Sequence, residues 1–223
     1  RLGGYGAVNQ AGVVCWLSLV AARAAGVKDR VVDEAIDHAG GFFRFFVDKG
    51  AIPYGDHPPL WELHDNNGKN AAAAIGFDLV GDADATRYFA RTAVAGFSER
   101  EHGHTGNYFG MMWGPLGAAR IGDAAAAAHQ RELRWFADLA RRADGSFVYQ
   151  GAAGEDDSYM GWDATGAFAL ALALPFRKLA ITGRDVRPEL RAEPESAAGD
   201  IADGAAFDGW KARESRKGLP TER

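Results

Sequence analysis

The 223 residues carry 25 Lys+Arg against 30 Asp+Glu, a formal net charge of -5, with 47% hydrophobic content, as expected of a globular chain with room for one core. Charges of both signs are dispersed, so no basic stripe tracks a phosphate backbone and nucleic acid is not expected as a partner. Cys15 is the only cysteine, which excludes an internal disulfide and a multi-thiolate metal site and leaves the compartment open.

The chain opens on Arg1 inside a structured-looking segment, so it reads as part of a longer protein with any targeting signal upstream. From Val8 to Ala25 the residues are apolar or small nearly all the way round, which predicts a helix buried on several sides, with Gly26 as its stop. From Val31 to Lys49 an apolar stripe of Val32, Ala35, Ile36, Ala39, Phe42, Phe43 and Phe46 opposes Asp33, Glu34, Asp37, Arg44 and Asp48, which predicts a helix with one wet face. The alternation recurs. Asn70 to Val80 is apolar, and Asp84 to Arg100 sets Phe89, Ala93 and Phe97 against Arg87, Arg91 and Glu99. Tyr108 to Ile121 is apolar with Pro115 inside, and Ala124 to Arg142 is amphipathic, with Leu133, Phe136, Leu139 and Ala140 expected to face inward. Asp163 to Leu174 begins a fourth apolar helix. The longest apolar run, Ala164 to Pro175, falls well short of the ~20 residues of a bilayer span, so no membrane span is expected.

One hairpin is being reused: Gly76, Gly81, Asp82 and Ala83 match Gly117, Gly122, Asp123 and Ala124 at a constant offset, and Asn66 matches Asn107 at the same offset. Hairpins of this length cannot bury an apolar face alone, so stacking inner helix on inner helix is the physical solution. The fold class is therefore all-α, an α/α toroid or partial toroid over residues 1–183. Residues 184–223, rich in Glu, Arg, Ala, Gly and Pro without a sustained apolar period, read as a polar tail or linker.

Three strings carry a family resemblance: GGYGAVNQAGVVCWLSLVAARAAG, HGHTGNYFGMMWGPLGAARIGD, and DGSFVYQG followed by GWDATGAFALALALP. Together they resemble the toroid of the terpenoid cyclase and protein prenyltransferase superfamily, most of all an uncharacterised bacterial branch of predicted toroids. The resemblance implies the fold and an isoprenoid-handling activity as one functional option. Two motifs of that superfamily are missing. Glu155, Asp156 and Asp157 do not reproduce the Asp-Xaa-Asp-Asp acid of the class II cyclases. His104-Thr105 resembles the start of the zinc-ligand helix of prenyltransferase β subunits, but no Asp-Xaa-Cys partner accompanies it.

Parallel inner helices, as in a toroid, bring all their N-termini to one mouth, and polar clusters stand at those starts: Asn9 and Gln10; His64, Asp65, Asn66, Asn67, Lys69 and Asn70; His102, His104, Thr105, Asn107 and Tyr108; Asp156, Asp157, Tyr159, Trp162 and Asp163. Several positive helix ends around one opening favour an anionic or hydroxyl-rich ligand, and an acidic sugar fits. The competing reading is that Asn, Asp and Thr there are only N-caps, with Lys69 and Asp65 solvated.

Against that, an Asn can bind a uronate carboxylate and acidify its α-proton while His and Tyr exchange protons, the requirement of a polysaccharide lyase. His64, Asp65, His104 and Tyr108 are the candidate catalytic residues. Asn9, Gln10, Asn66, Asn67, Asn70, Asn107 and Asp163 are the candidate substrate-binding ones, with Trp61 and Trp162 as aromatic faces for a sugar ring. A hydrolase would use two opposed carboxylates, for which Asp65, Glu101, Asp156 and Asp163 are available. His102 and His104 with Asp56 and His57 lack a third fixed ligand, so no metal and no cofactor is assigned. Trp16, Met111, Met112, Trp113 and Phe168 read as core. The expected partner is a small molecule or oligosaccharide. A protein-binding toroid whose polar starts are only caps stands as the reading from another class.

Overall fold

The structure, a computed structural model, describes residues 8–55, 68–96, 108–151, 159–174 and 181. Among the described residues seven α-helices follow in order: α1 (Asn9–Ala24), α2 (Arg30–Arg44), α3 (Lys69–Val80), α4 (Ala83–Ala95), α5 (Tyr108–Ala118), α6 (Asp123–Ala140) and α7 (Thr165–Leu172), with a 3-10 turn (Ala119–Ile121) after α5. Among the described residues there is no named strand, only the isolated bridges of Arg141 with Phe147 and Val148 with Asp163. The protein is all-α.

Inner and outer helices differ in what they bury. Every residue of α3 from Lys69 to Asp78 is buried, because α3 packs against α1, α4 and α5 at once. The outer helices α2, α4 and α6 bury one stripe each: Ile36 and Phe43; Ala85, Phe89, Ala90 and Ala93; Ala125, Ala126, Leu133, Phe136 and Ala140. Their polar starts are locally set. The carboxylate of Asp29 accepts from the Val31 N–H at 2.7 Å, and that of Asp82 from the Ala85 N–H at 3.0 Å.

Two inward assignments are corrected. Phe42 is 46% exposed, since the buried stripe of α2 runs through Ile36 and Phe43 and leaves Phe42 to one side. Leu139 is 67% exposed, since the buried stripe of α6 runs through Leu133, Phe136 and Ala140 and leaves Leu139 to one side. Phe97 and residues 184–223 lie outside the described residues.

The matched glycines have matching jobs. A Cβ on Gly76 would overlap the six-membered ring of Trp16 on α1, and a Cβ on Gly117 would stand 2.7 Å from the Cα of Ala71 on α3. Each therefore lets its inner helix approach the preceding inner helix. Gly81 and Gly122, with φ of 94° and 120°, turn the chain from inner to outer helix through backbone space that L side chains rarely enter. Trp16 fills the space so made, donating its Nε1 hydrogen to the Ile36 carbonyl at 3.0 Å and touching the rings of Phe43 and Phe77. At the far end a buried ion pair, Arg120 to Asp78 at 3.0 Å, joins the turn after α5 to α3, and Arg120 also donates to the Ile181 carbonyl at 2.6 Å.

Candidate functional site

Four helix starts meet at one end. The backbone N–H of Asn9 donates to the Tyr54 carbonyl at 2.9 Å, and its side-chain amide donates to Pro53 at 2.9 Å and Gly55 at 3.3 Å. The Ile52 N–H in turn donates to Asn70 Oδ1 at 3.1 Å, so one short segment holds the beginnings of both α1 and α3. Gly68, just ahead of α3, abuts the start of α5: a Cβ there would stand 2.5 Å from the Phe109 carbonyl oxygen. The rings of Tyr108 and Phe109 then meet Tyr159 and Trp162, which lead into α7.

Of the sequence-based candidates, Trp61, His64, Asp65, Asn66, Asn67, His104 and Asn107 lie outside the described residues, as do Asp56, His57, Glu101, His102, Asp156 and Asp157. Asn9 and Asn70, 3% and 0% exposed, use the atoms just named to pin the 52–55 segment. Asp163 stands two residues ahead of α7 in a local turn: its carboxylate accepts from the Thr165 N–H at 2.8 Å, and the hydroxyl and N–H of Thr165 hold its carboxyl below the ordinary range. Tyr108 is partly buried on the first turn of α5, and Gln10 lies beside Asn9 with its Oε1 buried and unpartnered. Lys69, which the sequence left as a solvated group in one reading, is fully buried with its Nζ 6.0 Å from the centre of the Tyr54 ring.

An aromatic patch covers this end of α5. Tyr108 contacts Tyr149 at 5.2 Å, Tyr159 at 5.8 Å and Trp162 at 6.1 Å between ring centres, and Tyr159 meets Trp162 edge-on at 4.5 Å. The backbone fixes it. The Tyr149 N–H donates to the Trp162 carbonyl and the Gly161 N–H to the Tyr149 carbonyl, both at 2.9 Å, so the exposed indole hangs from a buried tyrosine. Trp162 is 51% exposed and Met160 63%. Tyr54, Tyr149 and Lys69 were not among the site residues read from the sequence. For Tyr149 a signal existed, since Phe147 and Tyr149 follow the two-residue period of extended chain that the bridges adopt. Such a surface offers an apolar face rimmed by phenol groups, suited to a ligand that is flat and apolar on one side and polar at its edges.

Among the described residues, no group of three or more His, Cys, Asp and Glu is placed to hold a metal ion, and no helix is long and apolar enough to cross a membrane.

These features define an all-helical protein in which the starts of α1, α3 and α5 and the segment leading into α7 lie at a common polar and aromatic end. Residues 1–183 match the family described as Domain of unknown function (DUF6288), and the chain belongs to that family. No curated protein and no solved structure matches it.

Proposed function

We propose that this domain is an α/α toroid, related to the terpenoid cyclase and prenyltransferase toroids, that binds and processes a carbohydrate at the end where its inner helices begin. The toroid reading is supported by the consecutive packing of α1, α3, α5 and α7, each followed up to α6 by an outer helix. The carbohydrate reading rests on one observation: Trp162, half-exposed, stands roughly perpendicular to the rings of Tyr159 and Tyr108 at the common helix starts. A sugar ring stacks its C–H face on such an indole while its hydroxyls reach the surrounding polar groups. Converging positive helix ends favour a carboxylate, hence a uronic sugar. Tyr108 stands within the patch as proton donor or acceptor, and His64, Asp65 and His104 complete the proposed set for lyase or hydrolase chemistry.

Isothermal titration with trigalacturonate and maltotriose, followed by assay for unsaturated products and new reducing ends, tests this. Tight binding of the acidic probe is expected, weakened about tenfold or more by Trp162→Ala, the loss of roughly 1.4 kcal/mol of stacking. A Trp162→Ala variant that binds as well as the unaltered protein overturns the reading. A second reading, isoprenoid handling, draws on the same ring cluster, whose faces stabilise a carbocation. It is favoured instead if a prenyl diphosphate binds while neither sugar does.

A further inference from the structure

Trp162 is half-exposed, so ring contacts hold only part of it and its orientation depends on the backbone that carries it. That backbone is paired with the extended segment 147–149. The Ala164 N–H donates to the Phe147 carbonyl at 3.0 Å, the Tyr149 N–H to the Trp162 carbonyl at 2.9 Å, and the Gly161 N–H to the Tyr149 carbonyl at 2.9 Å. The segment is itself anchored on two helices, through the Val148 N–H to the Ala140 carbonyl of α6 at 2.9 Å and through the Phe147 ring, stacked 4.7 Å from Phe168 of α7. One backbone donor of 147–149 meets a side chain instead: the Phe147 N–H donates to the hydroxyl oxygen of Thr165 at 2.9 Å. The same hydroxyl donates to the carboxylate of Asp163, the residue after Trp162, and that carboxylate also accepts from the Thr165 N–H at 2.8 Å.

Thr165 thus ties Asp163 to a segment that α6 and α7 hold in place. The tie needs a hydroxyl, because only a group that gives and takes hydrogen bonds can serve the Phe147 N–H and the Asp163 carboxylate together. Trp162 sits between this tie and the Tyr149 pair, so its backbone is held from both sides. An aromatic face oriented before a ligand arrives avoids the ordering cost that a loose side chain incurs on binding. We propose that Thr165 is a positioning residue for Trp162: through Asp163 and Phe147 it keeps the indole in its stacking orientation, without touching the ligand. The inference deepens the carbohydrate reading and rests on it, since Trp162 is the stacking face in that reading.

The test uses the full chain with trigalacturonate and maltotriose as probes, and the variants Thr165→Val, Thr165→Ser and Trp162→Ala. Thr165→Val, similar in size but without the hydroxyl, is expected to weaken binding of the preferred probe about threefold to tenfold, and Thr165→Ser to restore it. A second readout needs no ligand. The indole N–H resonance of Trp162, assigned by its loss in Trp162→Ala, should show a heteronuclear NOE as high as that of the helix backbone. Thr165→Val should lower it and Thr165→Ser should not. A lower urea midpoint for Thr165→Val, with that NOE and the affinity of the folded protein unchanged, overturns the proposal in favour of a purely structural role. Should Thr165→Val fail to fold, Asp163→Asn, which weakens the same bonds, decides by the NOE, and an unchanged value overturns the proposal. Binding lost in Trp162→Ala but intact in Thr165→Val overturns the positioning role and leaves the carbohydrate reading standing. No binding by the unaltered chain overturns both.

Discussion

At Asp163 a single carboxylate accepts from the N–H and hydroxyl of Thr165, and the Thr165 oxygen in turn accepts from the Phe147 N–H at 2.9 Å. Those bonds favour the charged form and lower its folded pKa below the ordinary Asp value of 3.8. The associated stability is present at neutral pH, where Asp163 is ionised in both folded and unfolded chains. It is lost as pH falls from 3.8 through the lower folded value, because the unfolded chain takes up the proton first. Asp163→Asn keeps an acceptor oxygen but never titrates. The expected outcome is a lower urea midpoint than the unaltered protein at pH 7, with the gap closing below pH 3.8. A gap of constant size across that range would show that shape rather than charge holds the turn.

Between elements, the controlling quantity is how closely one inner helix can approach the next. Gly117→Ala drives a methyl group into the backbone of Ala71, which cannot move aside, while Gly76→Ala drives one into a Trp16 ring already tethered to Ile36. Each is expected to cost about 1–3 kcal/mol by overpacking, with Gly117→Ala the larger. Gly166 on α7 is the internal control, because a Cβ there meets nothing within 4 Å. Gly166→Ala should leave the urea midpoint unchanged or raise it slightly. Equal small gains at all three positions would mean that helix propensity, not contact, governs the stack. The repeat was legible in the sequence because the matched glycines recur at one spacing. Their purpose was not, since Gly76 and Gly117 meet residues of helices far away in sequence.

Across the whole molecule, the Asp78–Arg120 pair joins α3 to the turn beyond α5 with both side chains almost wholly out of solvent, 9% and 1% exposed. Removing one partner takes the ion pair from the other charge in the interior, so Arg120→Met is expected to cost about 3–5 kcal/mol. Asp78→Leu combined with Arg120→Met should recover most of that loss, because neither charge then has to be desolvated. Thermal and urea unfolding of the single and double variants decide it. A double variant no more stable than the single one would show that the Arg120 bond to the Ile181 carbonyl carries the effect.

The all-helical class, the hairpin order and the inner helix spans were determined by the sequence, because helical period, caps and stops act between residues a few positions apart. Inner spans expected near 8–25, 69–80, 107–121 and 163–174 are found as Asn9–Ala24, Lys69–Val80, Tyr108–Ile121 with its 3-10 end, and Thr165–Leu172. Tertiary structure decided what the polar residues at those helix starts do. Asn9 and Asn70 look alike in the sequence whether they pin a loop or meet a ligand. The backbone of residues 52–55, brought over them by the fold, takes up Asn9 Nδ2 and Asn70 Oδ1. Trp113 reads as core from its apolar neighbours, yet its N–H stays unmet because only helix packing sets which polar atoms lie within reach of it.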